Sequence, residues 1–165
     1  MTLLKIEILP TNTAIPLAIL SLTDLDNREL NPAIEKQLAL RHLSPASPQN
    51  ALADLLILIA DRHQAKMQAW DMAVFPTQPV QIQALRDQPV TLLDQDQTIL
   101  PPNLDAKSSR VLIVIGDANA DDATVHATGQ ELQRKIKAFF GLQARLQFRT
   151  GSGQRQPLDT VKPVS

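Results

Sequence analysis

The sequence predicts an α/β or α+β protein with a mixed sheet of about four to six strands and two or three packed helices. Two features of the chain lead to this prediction. An aliphatic run at Val111–Ile115 is typical of a strand covered on both faces, and a helical pattern and an alternating strand follow it. Upstream, short alternating segments and amphipathic stretches are separated by Pro, Asn and Asp.

In the first third of the chain, two strands should precede a first helix. Residues Leu3–Leu9 alternate in part between apolar and polar side chains, and Pro16–Leu22 is a short apolar run. Asn31 and Pro32 then form a helix start, because Asn caps free N–H groups and Pro favours the first helical position.

A second, longer helix is predicted from Ser47-Pro48. Its apolar residues recur at spacings of three and four, or multiples of them. It must end before Phe75-Pro76, since the residue before a proline is pushed out of the helical region. We interpret His63, on or beside the apolar face, as a boundary residue. The residues of that face are Leu52, Leu55, Leu56, Ile59, Met67 and Trp70.

The rest of the chain predicts a hairpin and a C-terminal β-α-β unit. Residues 79–100 should be extended, with a turn around Arg86–Pro89. After the buried strand, Asp121 or Asp122 should cap a helix that Gly141 ends. Leu142–Phe148 alternates cleanly, which predicts a strand with one solvated face. We therefore predict a single domain over residues 1–150 and a flexible tail over residues 151–165.

The composition argues against several functional classes. The chain has no cysteine, which rules out disulfides and thiolate metal sites and fits a cytoplasmic location. A net charge of −1 and an aromatic content of 3% argue against a nucleic-acid-binding surface. No apolar run reaches the roughly 20 residues of a membrane span. The sequence shows neither a signal-peptide pattern nor a cofactor motif, so we predict no cofactor.

An acidic cluster follows the predicted buried strand, where open α/β sheets place ligands. Asp117, Asn119 and Asp121 have the spacing that begins a calcium loop. However, Asp122 stands where that loop needs Gly, and Thr128 where it needs Glu. A helix cap is the simpler interpretation. The alternative is a small ligand- or metal-binding enzyme domain that uses Asp117, Asp121 and Asp122.

The last predicted strand offers a surface for protein contacts. Its polar face alternates Gln and Arg, which add side-chain hydrogen bonds to the backbone groups that a partner strand pairs with. The candidate partner-binding residues are Gln143, Arg145, Gln147 and Arg149. Because no catalytic constellation is present, the sequence favours a non-enzymatic assembly, adaptor or structural protein. We expect it to bind a protein partner or form homo-oligomers, without membrane or nucleic-acid binding.

The chain from Phe75 onward also resembles the C-terminal lid of phenylacetate–CoA ligase-like adenylating enzymes. In that family a Phe-Pro-Thr-Gln stretch precedes a strand, a helix ending Ile-Lys-x-x-x-Gly, another strand, and a Gly-Ser-x-x-Arg segment with a late catalytic Lys. The counterparts here are Phe75–Gln78, Ile136-Lys137 with Gly141, Gly151-Ser152 with Arg155, and Lys162. Val161 replaces the Gly before that lysine, and the ATP-binding domain has no counterpart. The resemblance therefore implies a stand-alone relative of the lid without ligase activity.

Overall fold

The structure, a computed structural model, describes residues 6–11, 13–43, 50–75, 79–84, 90–116 and 121–158. The helices in these ranges are α1 (Pro32–Leu40), α2 (Ala51–His63) and α3 (Asp122–Phe140), and a 3₁₀ turn spans Met72–Val74. The strands are β1 (Ile6–Ile8), β2 (Ile15–Leu22), β3 (Met67–Asp71), β4 (Val80–Gln83), β5 (Thr91–Asp94), β6 (Thr98–Leu100), β7 (Val111–Ile115), β8 (Arg145–Gly151) and β9 (Gln156–Pro157). None of the described helices is long and apolar enough to cross a membrane.

The predicted combination of helices and mixed sheets is confirmed, but the strands form two sheets. One sheet has the order β3-β7-β2-β8, with antiparallel neighbours throughout. β7 and β8 are therefore parallel to each other, with β2 between them, and α3 joins them as the predicted β-α-β unit. β2 and β3 likewise flank β7 and are joined through α1 and α2. The strands of the two units alternate in the sheet, which gives a ferredoxin-like β-α-β-β-α-β topology. This topology specifies no function by itself.

The second sheet has the strand order β6-β5-β4-β1-β9. β1 pairs with β4 in parallel, and the remaining pairs are antiparallel. β4 and β5 form the predicted hairpin, with Val80 opposite Asp94 and Gln83 opposite Thr91. Its turn, at residues 85–89, lies outside the described residues. β4 to β6 are thus an insertion in the β-α-β-β-α-β topology, between β3 and β7.

The four-stranded sheet has an apolar core on each face. Alternate residues of β2 point to opposite faces. Ala18 and Leu20 join the core under the helices, whereas Leu17 and Ile19 join the core shared with the five-stranded sheet. The protein is therefore layered as helices, four-stranded sheet and five-stranded sheet. β7 lies in the middle layer, which explains why it is buried at every position, as its aliphatic run predicts.

Local sequence signals set several helix ends. Asn31 caps α1, since its side-chain oxygen accepts a hydrogen bond from the Ala33 N–H at 2.9 Å, and Pro32 takes the first helical position. Gly141 ends α3 in the left-handed region with a φ of 69°, which glycine adopts without steric cost. Both boundaries agree with the sequence prediction.

The prediction of one long helix is wrong for the second half of its range. α2 is capped by Asn50 instead of Ser47. It ends at His63, and the following Gln64 adopts a left-handed φ of 50°. Met67 and Trp70 have helical spacing. In β3, however, they lie on opposite faces of the sheet and contribute to different cores. Pairing with β7 satisfies the backbone of this segment, and that distant contact overrides the local pattern.

The described part of the C-terminal segment, up to Leu158, pairs with strands of both sheets. Gly151 pairs with Ile15 at the end of β8, and β9 pairs with β1. Leu158 is 9% exposed, joins the core between the sheets, and donates its N–H to the Ile6 carbonyl at 2.9 Å. One apolar anchor and one strand neighbour therefore order a segment whose composition is mostly polar. Residues 159–165 lie outside the described residues, and the predicted domain limit stays a prediction.

Candidate protein-binding edge

Asp121 caps α3, as the simpler interpretation of the acidic cluster predicts. Its carboxylate accepts hydrogen bonds from the Thr124 N–H at 2.7 Å and the Thr124 hydroxyl at 2.9 Å, and these bonds lower the pKa of Asp121. The exposed Asp122 carboxylate lies 3.7 Å from His126 Nε2. Asp117 lies outside the described residues. Within the described ranges, no three ligating side chains are grouped so as to hold a metal ion.

The candidate residues of β8 lie on the sheet face that the sequence predicts to be solvated, but part of this face is buried. Gln147 and Arg149 lie opposite residues of β2 whose side chains join the core between the sheets. Gln147 is 9% exposed, and Arg149 donates to its side-chain oxygen at 2.9 Å. The solvated-face prediction is wrong for Gln147, whereas Gln143 and Arg145 are exposed. Partner binding by these residues stays a prediction.

β8 is an edge strand, because it pairs only with β2 among the described strands. Successive residues of an antiparallel strand direct their backbone groups alternately toward the neighbouring strand and away from it. The Ala144 carbonyl, just before β8, accepts a hydrogen bond from the Gln133 side chain at 2.9 Å. Near the other end, the Thr150 carbonyl accepts one from the Gln156 side chain at 2.6 Å. These bonds indicate that the even-numbered residues direct their backbone groups away from β2.

The position of Pro16 in β2 supports the same alternation. Pro16 lies opposite Thr150, and proline has no N–H to donate. The backbone groups of Pro16 and Thr150 therefore do not bond each other, and those of Thr150 point away from β2. A proline is tolerated inside a strand only where the ladder does not need its N–H. Once the pairing of β2 with β8 is known, Pro16 therefore indicates which residues of β8 direct their backbone groups away from β2.

Leu146 and Phe148 consequently present their backbone N–H and C=O groups at the open edge of the sheet, where no other strand that the structure describes pairs with β8. Their side chains pack against the core under the helices. The Phe148 ring stacks on His126 of α3, with ring centroids 3.8 Å apart and an interplanar angle of 6°. The aromatic stack and the flanking Gln133 and Gln156 bonds hold the strand in place where its backbone is open.

Other polar groups singled out from the sequence have structural partners. His63 Nε2 lies 3.1 Å from Glu131 Oε1, and Arg62 lies 3.3 Å from the other oxygen of that carboxylate, which links α2 to α3. This placement agrees with the interpretation of His63 as a boundary residue.

The ligase resemblance includes Arg155, which the structure places at the outer face of the five-stranded sheet. Arg155 donates to the Glu7 carboxylate at 2.6 Å and also to Asp96. It therefore ties the segment before β9 to β1 and to the turn between β5 and β6. Residues 76–78 and Lys162 lie outside the described residues, and kinship with the lid stays a prediction.

No family model matches the sequence, and no curated protein matches it. Sequence reasoning selected the polar side chains of β8 and missed Leu146 and Phe148, because their side chains are apolar and contribute to the core. These two residues contribute to the edge through their backbone N–H and C=O groups, and a pattern of side chains does not show the direction of backbone groups.

Proposed function

We propose that the protein is a non-enzymatic assembly or adaptor protein that binds an extended, acidic segment of a partner protein along the open edge of β8. The observation that carries this proposal is the outward direction of the backbone groups of Leu146 and Phe148. A partner strand that pairs with these groups extends the four-stranded sheet. In strand addition, main-chain hydrogen bonds provide affinity and the flanking side chains provide specificity.

The short open stretch makes binding dependent on the partner's sequence. Each new backbone hydrogen bond contributes about 0.5–1.5 kcal/mol net. Ordering each residue of a flexible partner costs about 1–2 kcal/mol. Backbone bonds alone therefore do not hold such a segment, and side-chain contacts must supply the difference. Gln143 and Arg145 are exposed at the beginning of this edge and can make such contacts.

The charge of the edge favours an acidic partner over a second copy of the chain. Arg145 and Arg149 project from the same face of β8, since alternate residues of a strand share a face. In an antiparallel self-pair centred on Gln147, Arg145 lies opposite Arg149 of the second copy. Like charges in directly opposite positions destabilise a strand pair. Glu or Asp at those positions of a partner strand instead provides opposite charges.

A short peptide of alternating valine and glutamate tests this proposal. Added to the full chain, it should shift the amide resonances of Leu146 and Phe148 and slow their exchange with solvent. The matched control is the same peptide with N-methyl groups on alternate residues, so that the edge facing β8 cannot donate hydrogen bonds. This control leaves the protein unchanged and should abolish binding. A second matched peptide, with lysine in place of glutamate, should bind more weakly.

Three outcomes would overturn the proposal. The first is equal binding of the N-methylated and unmodified peptides, because strand addition needs the backbone donors. The second is resonance shifts located away from β8. The third is a native mass of a dimer with protected Leu146 and Phe148 amides in the absence of peptide, since a second copy would then occupy the edge.

A further inference from the structure

Two acidic side chains meet inside the contact between α1 and α2. Asp54 of α2 is fully buried, with an exposed fraction of 0%. It lies close enough to Glu35 on α1 to raise the pKa of that carboxyl. Neither oxygen of Asp54, nor the buried Oε2 of Glu35, accepts a hydrogen bond from another residue that the structure describes. Two carboxylates in this position would repel each other without compensation, whereas a carboxylic acid beside a carboxylate forms a hydrogen bond.

Within the described ranges, no cation neutralises the pair. Residues 44–49, which connect the two helices, contain no ionisable side chain. Asp54 is the charged group that acts on Glu35. The charged groups along the helix contacts are engaged elsewhere or exposed: Arg41 pairs with Asp61 at 2.7 Å, Arg62 and His63 pair with Glu131 of α3 at 3.3 and 3.1 Å, and Lys36 is exposed.

We propose that Glu35 and Asp54 form a proton-dependent latch that docks α1 on α2. While the two carboxyls share a proton, one donates to the other and the helices stay in contact. When both ionise, two buried negative charges face each other across the helix contact, and α1 loosens. The remaining attachment of α1 consists of the buried Ile34 and Leu38 and of the Arg41–Asp61 pair at the end of the helix.

The latch operates near neutral pH. Burial first, and then the hydrogen bond and negative charge of Asp54, raise the pKa of Glu35 from 4.5 to about 7. The folded protein therefore binds this proton more tightly than the unfolded chain does. Stability from the pair is greatest at low pH, falls as the pH rises from about 4.5 to about 7, and is constant above that.

Hydrogen exchange of the α1 amides at pH 5.5 and pH 8 tests the latch. After correction for the intrinsic pH dependence of exchange, α1 should open more at pH 8. Between these two pH values, a difference of about thirtyfold is the upper limit that the pKa shift allows. Glu35→Gln should remove the pH dependence, because its amide donates to Asp54 at any pH. Asp54→Asn should do the same if the first variant folds poorly. The matched control Glu29→Gln changes an exposed glutamate before α1 and should behave as the wild type.

Two results would overturn the latch. If Glu35→Gln keeps the wild-type pH dependence, another group governs α1. If millimolar Mg²⁺ or Ca²⁺ restores protection of α1 at pH 8 in the wild type, the carboxyls bind a cation instead of a proton. The strand-addition proposal does not depend on either result, since it concerns the backbone of β8 and a different readout.

Discussion

Replacement of Leu158 by alanine should destabilise the protein, although the sequence places this residue in a flexible tail. Leu158 is 9% exposed in the core between the two sheets, and its backbone N–H donates to Ile6. The substitution removes three carbon atoms, and burial of each contributes about 0.8 kcal/mol. Because the site is at the end of the described chain and can relax, we expect a loss of about 2 kcal/mol, the lower limit for Leu→Ala. For a chain of this length, that lowers Tm by about 4–8 °C.

Thermal and urea unfolding of the wild type, Leu158→Ala and Gln154→Ala measure this effect. Gln154 is exposed in the same segment, so its substitution reports changes that do not involve the core. The midpoint of Gln154→Ala should match the wild type, with an unchanged urea m-value for both variants. If Leu158→Ala unfolds at the same midpoint as Gln154→Ala, the segment contributes nothing to the core, and the tail prediction is right.

Three further substitutions test other parts of the structure by thermal unfolding. Gly116→Ala should cost about 1–3 kcal/mol, because Gly116 has a φ of 127° and an added Cβ would lie 2.7 Å from the Pro16 carbonyl oxygen. Asp121→Ala should lower Tm at neutral pH with or without Mg²⁺. The difference should shrink as the pH falls through the lowered pKa of Asp121, since the bonds from Thr124 favour the charged carboxylate. Ile136→Asp should abolish cooperative unfolding, because it buries a carboxylate at a position with 0% exposure.

The sequence predicts an element well where its signals are local. The aliphatic run of β7, the Asp121 cap and the Gly141 stop depend on residues within one element, and all three are confirmed. Met67 and Trp70 show the opposite case. Their spacing of three fits a helix, but pairing with β7, a strand distant in sequence, turns the segment into β3. Local periodicity contains no information about such a partner.

The candidate site was predictable only where its signals are local to one element. Alternation identifies β8 as a strand, but it cannot show that the side chain of Gln147 is buried. Nor can alternation show that β8 is at the edge of its sheet, because strand order is a property of the assembled fold. Pro16 indicates which residues of β8 direct their backbone groups away from β2 only after its pairing with Thr150 is known. The backbone groups of Leu146 and Phe148 therefore become visible as a binding edge only in the structure.

Residue-by-residue amide exchange along β8 tests the proposed binding edge most directly. In the free protein, the amides of Leu146 and Phe148 should exchange much faster than those of Arg145, Gln147 and Arg149, whose N–H groups point toward β2. Addition of the valine–glutamate peptide should slow the two fast amides and leave the other three unchanged. Equal protection of all five amides in the free protein would contradict the open edge, and with it the proposal that β8 receives a partner strand.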